Sequence, residues 1–166
     1  MPNENRLRFR HVLDAADPAR IRALVAATGV FSAEETRVAA ELAETTLDGS
    51  ETYRWLIAEA DGQLAGYTCF DRVPLSKTSF DLYWIAVLPT HRGTGLGREL
   101  ITRTAKFIRA KIGAQIFAET SSREPYAAAR GFYVKAGFEQ VARFEDFYEP
   151  GDDKIVFRLK LTGRDT

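Results

Sequence analysis

The sequence predicts a mixed α/β fold, and three observations carry that reading. Strand-like and helix-like segments follow one another in the order β-α-α-β-β-β-α-β-α-β-β, not in the regular βα alternation of a doubly wound nucleotide fold. One segment, Leu96, Leu100, Ile101, Ala105, Ile108 and Ile112, repeats at the helical period over its whole length. The 166 residues, 45% of them hydrophobic, suit a single domain over residues 1–166 that buries roughly 69% of its unfolded surface, so its core needs no staple.

Each element has its own local reason. Leu7 and Phe9 alternate with polar neighbours and read, over 7–12, as a short first strand. Asp17-Pro18 reads as an N-cap with proline at the first helical position, followed by the face Ile21, Leu24, Val25 and Thr28 and a stop at Gly29. Ser32 and Glu35 form a capping box for a second helix, whose expected apolar face is Val38, Leu42 and Thr45 and whose stop is Gly49. Trp55–Ala58 and Leu64–Phe70 are strands joined through the hairpin pair Asp61-Gly62. Phe80–Val87 is an apolar, aromatic strand. Lys106, Arg109 and Lys111 suit the negative end of the third helix, which Gly113 is expected to stop. Gln115–Thr120 is a strand, and Pro125 is expected to open a fourth helix ending at Gly137. Phe138–Tyr148 and Lys154–Leu161 are strands around an expected turn Pro150-Gly-Asp-Asp153; in the last, Ile155, Phe157, Leu159 and Leu161 alternate with Lys154, Arg158 and Lys160.

Composition removes several classes of function. Twenty-three basic residues balance twenty-three acidic ones, so the basic excess of a non-specific nucleic-acid binder is missing. The lone Cys69 excludes a disulfide framework and a cysteine-based zinc site, and no metal-ligand cluster stands out. No apolar run approaches the ~20 residues of a membrane span, and the polar start Met1-Pro-Asn-Glu-Asn-Arg6 does not resemble a signal peptide. The expectation is a cytoplasmic protein with no nucleic-acid or membrane partner.

The chemistry concentrates in Trp84-Ile-Ala-Val-Leu-Pro-Thr-His-Arg-Gly-Thr-Gly-Leu-Gly-Arg98, a strand running through a glycine loop into the strongest helix. Glycines let backbone N–H groups converge on an anion, and the helix N-terminus adds about half a positive charge. Arg92 and Arg98 add side-chain donors. A P-loop would need Gly-Lys-Ser/Thr, and a dinucleotide fingerprint would need G-x-G-x-x-G; this loop reads G-x-G-x-G. It resembles the coenzyme A signature of the GNAT superfamily of acyl-CoA-dependent N-acetyltransferases, Arg/Gln-x-x-Gly-x-Gly/Ala, at Arg92, Gly95 and Gly97. A second stretch, Ala129-Arg-Gly-Phe-Tyr-Val-Lys-Ala-Gly-Phe138, resembles the family's later helix, and the likeness in element order covers roughly residues 7 to 161. The resemblance implies a mixed, mostly antiparallel sheet of about six to seven strands flanked by about four helices.

It also implies roles. Acetyl-CoA is the cosubstrate and no metal is used. The backbone of Ile85 and Val87, with Ala86 between them, would pair with the pantetheine arm as an added strand does. Arg92, Gly93, Thr94, Gly95, Leu96, Gly97 and Arg98 would hold the pyrophosphate. Tyr133 matches the family's general acid beside the thioester sulfur, and a tyrosine with a pKa near 10 can supply a proton at neutral pH. Two acids stand for the general base: Asp81, on one strand face with Tyr83, Ile85 and Val87, and Glu119, at the end of the next strand. Where many relatives carry a pantetheine-contacting asparagine, this sequence has Tyr126, which either packs on the cofactor or covers the helix.

Phe31, between the first two helices, and Tyr148, in the acidic and aromatic stretch Glu145–Asp153, occupy positions where the family binds its acceptor. Cys69, inside an apolar strand with neither histidine near it in sequence, reads as a buried structural thiol, which argues against a ping-pong route. The expected activity is transfer of an acetyl group from acetyl-CoA to a primary amine, of a small molecule or a peptide N-terminus, by direct attack in a ternary complex. The alternative is a non-catalytic acyl-CoA sensor module. Homodimers are common in the superfamily, and no residue here marks one.

Overall fold

All the expected helices and strands form in the expected order. The computed structural model describes residues 6–161. In chain order they are β1 (Arg8–Arg10), α1 (Asp17–Ala27), α2 (Ala33–Leu47), β2 (Arg54–Ala60), β3 (Gln63–Arg72), β4 (Ser79–Val87), α3 (Leu96–Ala110), β5 (Gln115–Ser121), α4 (Ala127–Lys135), β6 (Glu139–Glu149) and β7 (Asp152–Lys160), with short 3₁₀ turns at Pro89–His91 and Glu124–Tyr126. The seven strands lie in the order β1-β2-β3-β4-β5-β7-β6. The ladder of β4 with β5 is parallel; those of β1 with β2, β2 with β3, β5 with β7 and β6 with β7 are antiparallel. The chain forms two compact units: residues up to Asp71 with Trp84–Thr104, and Arg72–Tyr83 with residues from Ala105 onward.

In the first unit Ile21, Leu24 and Val25 of α1 meet Ala39 and Ala43 of α2 and Trp55, Ile57, Leu64, Tyr67 and Cys69 of the strands. Fully burying a side chain the size of Leu or Ile stabilises by roughly 1.5–3 kcal/mol, so this cluster holds both helices on β2 and β3. The buried face of α2 is Thr36, Ala39, Ala40 and Ala43; of the expected face, Leu42 packs partly buried against the core, whereas Val38 is 38% exposed. Reading for bulky residues misplaced this face, because α1 packs against α2 and alanine methyls allow that close approach.

The capping box of Ser32 and Glu35 forms in both directions. Asp17 does not cap α1. It is fully buried, and its two carboxylate oxygens accept from the Arg10 guanidinium at 2.7 Å each, while Arg10 also donates to Glu59. Burial opposes its ionisation, but the Arg10 fork and the Asp14 N–H outweigh it and hold the carboxyl below its ordinary range. Between β2 and β3, Asp61 and Gly62 both take positive φ, 52° and 76°, the type I′ geometry their identities predict. Farther along β3, Gly66 brings the strand against α3: a Cβ there would lie 3.0 Å from the Ala86 carbonyl and 3.1 Å from Leu100. Val12, by contrast, is 77% exposed and follows β1 rather than ending it.

In the second unit β5 pairs with β7 from Gln115↔Lys160 to Ser121↔Lys154. Ile116, Ala118, Ile155 and Phe157 are buried on one face. Ile112 does not extend the apolar face of α3; it lies beyond the helix at φ 63°, 80% exposed. Gly113 follows because any Cβ there would collide with Ile108. Pro125 lies in the 3₁₀ turn Glu124–Tyr126, and α4 begins only at Ala127. The expected four-residue turn Pro150–Asp153 is tighter: Asp152 already pairs with Glu149, and both Asp152 and Asp153 are buried.

Among the described residues no helix is long and apolar enough to cross a membrane. No group of three or more His, Cys, Asp or Glu among them could hold a metal ion.

Candidate active site

In the first unit β4 leads through Leu88 and the 3₁₀ turn Pro89–His91 into the glycine loop, and Leu88 N–H donates to the Ala65 carbonyl at 2.8 Å, fixing where the loop begins. Gly93 and Gly95 hold φ of 74° and 86°, a region that costs any other residue strain, and a Cβ on either would meet nothing within 4 Å. The glycines are therefore needed for backbone direction and not for local packing space. Thr94 Oγ1 donates to the His91 carbonyl at 2.6 Å, and Glu99 N–H makes the opening helical bond to the Gly95 carbonyl at 3.0 Å. The N–H groups of Leu96, Gly97 and Arg98 precede that bond, as the first donors of any helix do. Leu96 and Ala86 bury their side chains in the core, leaving only main-chain groups for a ligand. Arg92 and Arg98 are exposed, with Arg92 Nη2 reaching 3.5 Å from the Thr28 carbonyl. Phe31 is partly buried against Trp84, ring centroids 5.1 Å apart.

The second unit gathers side chains instead. The β4–β5 ladder aligns Asp81 with Phe117, which puts Asp81 on the same sheet face as Glu119 two residues on. Glu119 opposes Val156 on β7, so Lys154 and Arg158 share that face, and Phe144 of β6 opposes Lys154. Lys154 Nζ lies 3.1 Å from Glu119 Oε1, 4.4 Å from the centroid of Phe147 and 5.5 Å from that of Phe144. Burial pushes the Asp81 carboxyl above its ordinary value, Glu119 pushes it further, and Lys154 pulls it back. Of the two expected bases, Asp81 is the one whose carboxyl burial raises, and Glu119 is paired with Lys154.

Tyr133 lies on the other face of this sheet. Its ring is 5.4 Å from Phe157 and 5.2 Å from Phe138, and burial pushes its hydroxyl up to about 12. Tyr133 and the two acids are therefore not neighbours: β5 and β7 stand between them. Tyr126 closes the 3₁₀ turn before α4 and is half-buried. Tyr148 is 48% exposed and edge-on to Phe147, ring centroids 5.1 Å apart.

Asp146, Asp152 and Asp153 of the β6–β7 hairpin hold its turn together. Asp153 accepts from Arg143 Nε at 2.6 Å and from Asp146 N–H at 2.9 Å, and its own N–H donates to Ser122 Oγ at 2.8 Å. The Asp146 N–H, and then Arg143, hold the Asp153 carboxyl below its ordinary range. Asp152 bonds Ser121 Oγ. Arg143, Glu145, Asp146, Gly151 and Asp153 line a shallow hollow. Lys154, Phe144 and Phe147 were not singled out by sequence; their only signal, a lysine alternating with apolar residues, acquires meaning through the β5–β7–β6 register.

The element order, the seven-stranded mixed sheet and a strand that runs through a glycine loop into a helix N-terminus are features that the acyl-CoA-dependent transferases share. The chain belongs to the acetyltransferase (GNAT) family, whose model matches residues 19–138, and its activity class is acetyl-CoA-dependent N-acetylation. A GNAT-family protein from Desulfovibrio desulfuricans is 39% identical, with a TM-score of 0.92 over 95% of this chain and 100% of that one. An acetyltransferase-like protein from Salmonella typhimurium, solved with acetyl-CoA, shares the fold at 21% identity, TM-score 0.71, over 97% of each chain. The ribosomal-protein-S18-alanine N-acetyltransferase from Escherichia coli shares it at 19% identity, TM-score 0.71, over 97% of this chain and 99% of that one. No curated protein matches the sequence.

Proposed function

We propose that the enzyme transfers the acetyl group directly to a primary amine, of a small molecule or a peptide N-terminus, with both substrates bound together. The observation that carries this reading is the pair of carboxyls on one sheet face, one raised by burial and the other paired with a lysine that lies over the exposed ring of Phe147. Such a face suits an ammonium group that must lose a proton before it can attack.

Acetyl-CoA supplies the activated acyl group. The N–H groups of Gly93 through Arg98, with Arg92 and Arg98, hold its pyrophosphate. Ile85 and Val87 offer main-chain groups to its amides, on the part of β4 that runs past Leu82, the last residue aligned with β5. Asp81, which lies across the sheet from Tyr133, takes a proton through water from the acceptor nitrogen as that nitrogen bonds to the acetyl carbon. The carbon–sulfur bond breaks, and Tyr133 gives its proton to the departing sulfur. A tyrosine held near 12 stays protonated at neutral pH and is ready to donate. Cys69 takes no part: it is buried, and burial pushes its thiol well above the ordinary value.

The test is thiol release from acetyl-CoA across a panel of small amines and peptides with free N-termini, followed by initial-rate patterns for the best acceptor. Intersecting lines support direct attack. Parallel lines, or release unaffected by any amine, would overturn it.

A further inference from the structure

Lys154, on the proposed acceptor face, is held by both charge and aromatic contact. Its side chain is only 17% exposed. It spans three elements: it rises from β7, pairs with Glu119 of β5, and lies over Phe147 and Phe144 of β6. Of the other charged side chains of β7 on that face, Arg158 pairs with Glu139 at 2.7 Å, Asp152 bonds Ser121 Oγ, and Lys160 lies at the far end of the strand opposite Gln115. The groups that bear on Asp81 are therefore Glu119 and Lys154, with Tyr83 two residues along its own strand.

Resting on the acceptor reading above, we propose that Lys154 is a positioning residue: seated on Phe147 and Phe144, its ammonium pairs with Glu119 and fastens the β6–β7 hairpin to β5, leaving Asp81 to take the acceptor's proton. Two carboxyls on one face repel when both are ionised, and without a cation they tend to share a proton. Lys154 prevents that sharing. It also links the hairpin's geometry to the charge state of the base, because one ammonium serves both. A lysine that merely covered the sheet would do neither.

The experiment compares the full-length enzyme with Lys154→Met, Lys154→Arg and Phe147→Leu. The Asp81 carboxyl is followed by ¹³C NMR against pH, and the pH profile of kcat/KM is measured with the best amine. In Lys154→Met the Asp81 midpoint is expected to rise by roughly one unit, since an opposite charge nearby is worth 1–3 and this one is partly solvated. The acid limb of kcat/KM should follow it by the same amount, and Lys154→Arg should return both. Phe147→Leu keeps every charge, so it should raise the acceptor KM several-fold and leave the acid limb in place. A folded Lys154→Met whose Asp81 midpoint matches the wild type would overturn the proposal, as would a Phe147→Leu indistinguishable from wild type in KM. If the wild type turns over no amine, the acceptor reading falls, whereas the carboxyl titration still tests Lys154 by itself.

Discussion

The glycine loop and the proposed acceptor face are built in opposite ways. At the loop the working groups are main-chain N–H donors, aimed by two glycines at positive φ and by the start of α3. The side chains there either point into the core, as Leu96 does, or stand in solvent, as Arg92 and Arg98 do. At the acceptor face the working groups are side chains brought together from β4, β5, β6 and β7 by strand register alone. Local conformation makes the one, and long-range pairing makes the other. The loop should therefore fail through backbone strain at a single residue, and the face through loss of charge or register.

The largest effects should separate chemistry from binding. Tyr133→Phe and Asp81→Asn should each lower kcat by ~10²-fold, a low general acid or base contribution, while calorimetric acetyl-CoA affinity stays within about twofold. Unchanged turnover in either variant would remove that residue from the mechanism. Gly95→Val should do the converse: it forces a β-branched residue to φ 86° and should weaken acetyl-CoA roughly 30-fold, about 2 kcal/mol of strain, with kcat at saturation preserved. Equal affinity would show that the loop's positive φ is not needed for binding.

A smaller effect concerns stability and has the opposite sign. Burial first, then Glu119, raises the Asp81 carboxyl in the folded state, so its ionised form destabilises the fold above its folded value, and that cost disappears below the ordinary value near 4. Asp81→Asn should thus raise Tm slightly at pH 7 and lose that advantage near pH 4, although it impairs turnover. Glu119→Gln, which breaks an ion pair, should not raise Tm. Thermal melts across pH distinguish the two.

The smallest expected effect is at the hairpin. The folded-state carboxyl of Asp153 is held low, so its contribution is present above about pH 4 and lost as pH falls through its folded value. Asp153→Asn should raise the acceptor KM a few-fold and speed hydrogen exchange at the Asp146 and Gly151 amides, leaving acetyl-CoA affinity alone. Unaltered exchange would mean Asp153 does not tie the turn.

How much was legible follows the same division. The hairpin turn at Asp61-Gly62, the capping box at Ser32 and Glu35, and the glycine loop could all be read from a few consecutive residues, because each is a property of local backbone. Asp17 looked like a cap by the same local logic, yet Arg10 and Glu59, distant in sequence, took its carboxylate for a buried network. The alanine face of α2 was missed because its logic lies in the neighbouring helix. Asp81 and Glu119 could be nominated as acids but not ranked, since burial and the Lys154 pair that distinguish them depend on strands far apart in the chain.

The sequence by itself determined the order of elements, the conformation of the glycine loop and, through two motifs, the family. Those are encoded in φ preferences, hydrophobic period and short-range spacing, which act within a few residues. Tertiary structure decided that burial raises the Asp81 carboxyl, that Tyr133 and the acids occupy opposite faces of one sheet, and that Lys154 pairs with Glu119 beneath the rings of the β6–β7 hairpin. Each of these depends on desolvation and on charges brought within a few ångströms of one another, and those distances exist only once the strands have paired.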